Sequence, residues 1–70
     1  SFYGKARVLY TEDKIQLESY NTVVAEIDRN KNKAVIHGFY SPTTLRHIKD
    51  FLYQHGFPVG TKAELEKMYC

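Results

Sequence analysis

Apolar and polar residues alternate through the first half of the chain, then recur every three to four positions in the second. That change of period predicts strands followed by helices. Residues 5–10 set Ala6, Val8 and Tyr10 against Lys5, Arg7 and Leu9, an imperfect alternation that still fits a first strand. After a polar turn at 11–14, residues 15–18 place Ile15 and Leu17 opposite Gln16 and Glu18. Ser19, Tyr20 and Asn21 then break the pattern as a bulge or tight turn, where Asn21 tolerates an unusual backbone. Thr22–Asp28 is the strongest strand. Val23, Ala25 and Ile27 point one way and Thr22, Glu26 and Asp28 the other, with Val24 as the exception. Residues 29–32 read as a hairpin tip. Residues 33–39 return antiparallel, with Ala34, Ile36 and Gly38 opposed to Val35, His37 and Phe39.

The helical period begins at residue 41. Ser41 is placed to cap the helix through its hydroxyl and Pro42 suits the first position, with Thr43 or Thr44 as the alternative cap. Leu45, Ile48 and Leu52, widened by Phe51, form a stripe toward a core. Gly56 ends the run at residue 55 as a left-handed C′ residue, and Pro58 blocks its resumption. Arg46, Lys49 and Asp50 occupy the opposite face, with His47 and Tyr53 at its flanks. Beyond the turn at 56–60, Thr61 and Glu64 fit a capping box for a short helix whose apolar stripe is Leu65 and Met68, with Tyr69 beside it. The predicted fold is α+β in a single domain over 1–70. A small antiparallel sheet of three or four strands packs against one main helix, with a short C-terminal helix. Residues 1–4 read as an aromatic lead-in that sets Phe2 or Tyr3 against the sheet edge, and the stop at Cys70 after a helical pattern reads as that of a trimmed domain or a processed chain.

Seventy residues bury a thin core, about 60 % of the unfolded surface for a chain of this size. Six Tyr and four Phe supply large packing surfaces and exclude a disordered composition. The net charge of +2, from ten basic and eight acidic residues, is too balanced to dictate nucleic acid, membrane or acidic substrate as a partner. The lone Cys70 makes no internal disulfide, which argues for a reducing compartment. No apolar run reaches the ~18 residues of a membrane span.

Candidate chemistry is sparse. His37, His47 and His55 lack the spacing of a metal motif, and no cofactor fingerprint is present. Ser19, Ser41, Thr43, Thr44 and His47 offer hydroxyls and an imidazole without a nucleophile elbow or a phosphate loop, and the reading is non-enzymatic. Two binding readings remain. In the first, aromatic surplus at Tyr20, Phe39, Tyr40, Tyr53 and Phe57 forms a protein-interaction surface, and an open sheet edge pairs with a partner strand or a second copy. In the second, Arg29, Lys31 and Lys33 at the hairpin tip act with Arg46 and Lys49 on the helix as a nucleic-acid surface. Lys5 and Arg7 would add to it. The plain alternative to each is an aromatic core and a solvated charged face, with Asp50 pairing Arg46 one turn away.

Two blocks carry a resemblance. Ser19-Tyr20-Asn21-Thr22-Val23-Val24-Ala25 enters a strand, and Ser41-Pro42-Thr43-Thr44-Leu45-Arg46-His47-Ile48 starts a helix ahead of Phe51-Leu52. Over roughly residues 15 to 57 the chain resembles a family of small uncharacterised domains encoded by bacteriophages and prophages. The resemblance implies an accessory protein in the cytoplasm of a bacterial host, acting on a host or phage protein or on nucleic acid, and it assigns no catalytic residue. The shared polar positions Tyr20, Thr22, Thr44, Arg46 and His47, with Tyr40 and Tyr53, have two readings. They form a recognition patch, or they are structural: Ser41 and Thr44 capping the helix, Arg46 paired with a strand carboxylate, and His47 tying helix to sheet.

Overall fold

A computed structural model describes residues 6–70; the lead-in at 1–4 and the strand position of Lys5 lie outside the described residues. Four strands, β1 (Ala6–Tyr10), β2 (Lys14–Ser19), β3 (Thr22–Asp28) and β4 (Lys33–Ile36), form one antiparallel sheet in chain order. The helices α1 (Pro42–Gln54) and α2 (Lys62–Tyr69) follow. The fold is α+β, with the sheet packed against the long helix.

Turn chemistry sets the register. Tyr20 and Asn21 join β2 to β3 as a two-residue turn with φ of 51° and 66°, the doubly positive φ that matches the twist of a tight hairpin. At the next hairpin, Asp28 accepts from the backbone N–H groups of Asn30 and Lys31 at 2.9 and 3.0 Å. Asn32, at φ 53°, returns the chain to β4. The resulting pairs place Val8 beside Leu17, Leu17 beside Ala25, and Ala25 beside Ile36 on one face.

Three elements differ from expectation. The bulge lies within the β2–β3 pairing, not at the turn: Leu17 pairs with Ala25 and Glu18 with Val23, leaving Val24 as the extra residue. The bulge buries Val24 with the core, where simple alternation set it outward. Its carbonyl accepts from His37 N–H at 2.8 Å, and β4 ends at Ile36 instead of continuing to Phe39. On α2, Met68 is exposed. Leu65 is the buried anchor, and Tyr69 docks in its place, its hydroxyl donating to the Pro58 carbonyl at 2.7 Å.

The helix signals hold. Ser41 accepts from Thr44 N–H, and the Thr61–Glu64 capping box closes in both directions. At the end of α1, Phe57 N–H bonds the Leu52 carbonyl and Gly56 N–H the Tyr53 carbonyl, with Gly56 at φ 81°. This is the double bond pattern of a Schellman stop, which favours Gly at that φ. Ile48, Phe51 and Leu52 face the sheet and meet Leu17, Val24 and Leu65 in a largely aliphatic core.

Candidate functional site

The first two turns of α1 gather most of the polar residues singled out by sequence. Ser41 donates its hydroxyl proton to Thr44 Oγ1 at 3.2 Å while accepting from Thr44 N–H. Thr44 Oγ1 lies 3.1 Å from Ser19 Oγ, and Ser19 Oγ lies 3.1 Å from His47 Nδ1. A head-to-tail run satisfies every hydroxyl: Ser41 to Thr44, Thr44 to Ser19, Ser19 to His47 Nδ1. It leaves the proton of neutral His47 on Nε2. Ser19 is 2 % exposed and His47 7 %, so this chain is sealed between β2 and α1. The Tyr20 ring, tilted at 6.2 Å from the His47 ring, stands beside it at the hairpin turn.

A hydroxyl donating to an imidazole is the pairing of a nucleophile with its base. Here the hydroxyl oxygen is buried and held by Thr44 as well, which makes the group a tie between helix and sheet. Thr44 and His47 therefore belong to the interior. The reason is their register: positions 44, 47, 48, 51 and 52 share the buried face of α1. Ser19 carries the tie, and as a site residue it was missed. The signal was present, because Ile15, Leu17 and Ser19 continue one period-two face of β2 inward.

Burial holds the His47 pKa below its ordinary value of 6.5; Arg46 pushes the same way and Asp50 opposes. The neutral ring is favoured in the fold, so its contribution is complete above the unfolded value. It is lost as pH falls below about 6.5 toward the lower folded value. Glu26, lowered chiefly by its hydrogen bond from His37, and Asp28, lowered by the Lys31 N–H, lose their contributions only further down, below 4.5 and 3.8. Melting curves of the wild type should therefore fall between pH 7 and pH 5, and His47→Gln should flatten that fall. Equal slopes for the two proteins would contradict the buried neutral ring.

The remaining predicted residues stay on the surface. Tyr53 is 78 % exposed and Tyr40 68 %, while Thr22 and Arg46 are also exposed. Arg46 makes no ion pair among the described residues, with Asp50 or with a strand carboxylate. Tyr40 has φ of 59°, and Ser41 N–H closes back on the Phe39 carbonyl at 2.6 Å, a γ-turn of the strained positive-φ kind. The Tyr40 ring lies over Gly38, where a Cβ would come within 2.9 Å of it.

The basic residues divide between two faces. Arg29 is occupied in structure, donating from its guanidinium to the Thr11 carbonyl and from its backbone N–H to the Asp13 carbonyl, which ties two hairpin tips together. Lys31 and Lys33 lie on the open sheet face beside Glu26 and Asp28. There Glu26 binds Lys14 at 3.2 Å and His37 at 2.6 Å. Arg46 and Lys49 stand on the far side of α1, across the core from Lys33. No cluster of three or more metal-ligating side chains occurs among the described residues.

A four-stranded antiparallel sheet covered by a capped helix, with a sealed polar tie and exposed tyrosines around it, defines a small two-layer α+β domain. The chain belongs to the family of unknown function DUF8033, whose model matches residues 1–67 and so takes in most of α2. No curated protein and no solved structure matches it.

Proposed function

We propose that this chain is a non-enzymatic binding module, an accessory protein of a bacteriophage or prophage that engages a host or phage protein in the bacterial cytoplasm. One observation carries the binding reading: large aromatic rings are held outside the core at backbone positions that disfavour them. Tyr20 and Tyr40 both adopt left-handed φ, which costs a residue with a Cβ roughly 1–2 kcal/mol, yet both are at least half exposed. Asn or Gly would fit either turn better, and neither ring repays the strain by burial. Exposed tyrosine joins a large contact area to a polar tip, the pattern of an interface anchor. Strain held at exposed residues concentrates at functional sites. The phage setting is supported by the Ser-Tyr-x-Thr and Ser-x-Thr-Thr-x-Arg-His-Ile blocks.

The division of Arg29, Lys31, Lys33, Arg46 and Lys49 between two faces favours protein over nucleic acid as the partner, since a phosphate backbone needs its cations along one track. The test is affinity capture of the tagged chain from a prophage-carrying bacterial lysate, with half of the sample treated with nuclease. A stoichiometric protein retained after nuclease is expected. Nucleic acid as the only companion, released by salt, would reverse the reading.

A further inference from the structure

We propose that the outer flank of the α1 N-terminus is a docking groove for a short acidic segment of the partner protein, with apolar side chains set between its carboxylates. This rests on the protein-binding reading above and adds the site and the chemistry of its ligand. Two adjoining depressions, of about 230 Å³ and about 210 Å³, share Pro42 and Leu45 as an apolar floor. Phe39, Tyr40 and Lys62 wall the first, and Arg46 and Lys49 the second. No carboxylate lines either one.

Charge decides the occupant. Among the described residues, Arg46, Lys49 and Lys62 enter no ion pair, and Lys62 rests 5.5 Å above the centre of the Phe39 ring. On the open sheet face, by contrast, Glu26 and Asp28 already stand among the lysines. The flank of α1 is thus a place where positive charge borders apolar surface with no carboxylate in the lining. An acidic peptide supplies both missing halves: carboxylates for the three cations and side chains for the two depressions. Nucleic acid fits less well. Its sugar–phosphate backbone gains nothing from a floor of Pro42 and Leu45, and the Tyr40 ring already lies close against Gly38.

The probe is a short capped peptide alternating Glu with Leu and Phe, titrated into the isotopically labelled full chain at low salt. Saturable binding is expected, with amide shifts centred on Tyr40, Leu45, Arg46, Lys49 and Lys62. Gln in place of Glu in the peptide should weaken binding at least tenfold. The double variant Arg46→Glu with Lys49→Glu should do the same without lowering the melting temperature, because neither side chain enters an ion pair among the described residues. Failure to saturate, indifference to the double variant, or tighter binding of oligothymidylate than of the peptide would each overturn the groove. Equal capture of a lysate protein by wild type and double variant would overturn the groove while leaving the protein-binding reading intact. Capture of no protein would overturn both.

Discussion

Replacing His47 with Leu should cost about 2–3 kcal/mol of unfolding free energy, and Ser19→Ala about 1–3 kcal/mol, as read from urea titrations. Each single change strands a partner. Without His47 the Ser19 proton loses its acceptor; without the Ser19 hydroxyl the Thr44 proton loses its acceptor and His47 Nδ1 its donor. At 2 % exposure Ser19 has no bulk water to turn to. The double variant removes donor and acceptor together, so its cost should fall short of the sum by about 1–2 kcal/mol. Small, additive single effects would mean that the tie is not formed in solution. Partner capture per folded molecule should be unchanged in all three variants, because the tie holds α1 on the sheet and presents nothing outward.

The consequence is mechanical. Ser41, Thr44, Ser19 and His47 anchor the first two turns of α1 to the end of β2, and those turns carry the residues assigned to the partner. Pro42, Arg46 and Lys49 line the outer flank of a segment whose inward side is fixed by hydrogen bonds and by Ile48, with Leu45 half-buried between the two. A binding surface on a fixed helix loses less conformational entropy on association than one on a free loop. The same tie explains how a buried imidazole is tolerated in a thin core. It stays neutral, and its Nδ1 is bonded.

What the sequence made legible was local. Ser41, Gly56 and the Thr61–Glu64 pair mark helix ends through bonds within a few residues of themselves, and each sits where its chemistry placed it. The two-residue turn at Tyr20-Asn21 was half legible, since Asn invites positive φ and Tyr does not. Features decided by tertiary packing were not legible. Val24 turns inward because a bulge inserts it against β2, and alternation has no term for an extra residue. His47 read either as a flank residue or as a tie from helix to sheet, and Thr44 as a cap or patch residue, although their spacing to Ile48 and Phe51 already set both on the apolar stripe. Met68 lost its place to Tyr69 because the Tyr69 hydroxyl finds the Pro58 carbonyl, eleven residues back in the chain. Of the surface residues, Tyr40 and Arg46 were singled out by residue type alone. The strain under Tyr40 became visible only with its backbone.

That strain gives the second large effect. Tyr40→Gly removes a ring that is 68 % exposed and makes no hydrogen bond among the described residues, and it relieves a φ of 59°. Relief worth roughly 1–2 kcal/mol is partly offset by the greater backbone freedom of Gly in the unfolded chain, about 0.5–1 kcal/mol. The folded state should therefore hold or gain stability. If Tyr40 is kept in this turn for a partner, the same change should weaken capture at least tenfold. The measurement to make is the Tyr40→Gly variant, followed by thermal melting and by partner capture from nuclease-treated lysate on the same preparation. An unchanged or raised melting temperature together with lost capture is the predicted result. A lowered melting temperature with capture per folded molecule intact would contradict it, and would make Tyr40 a packing residue of the loop into α1.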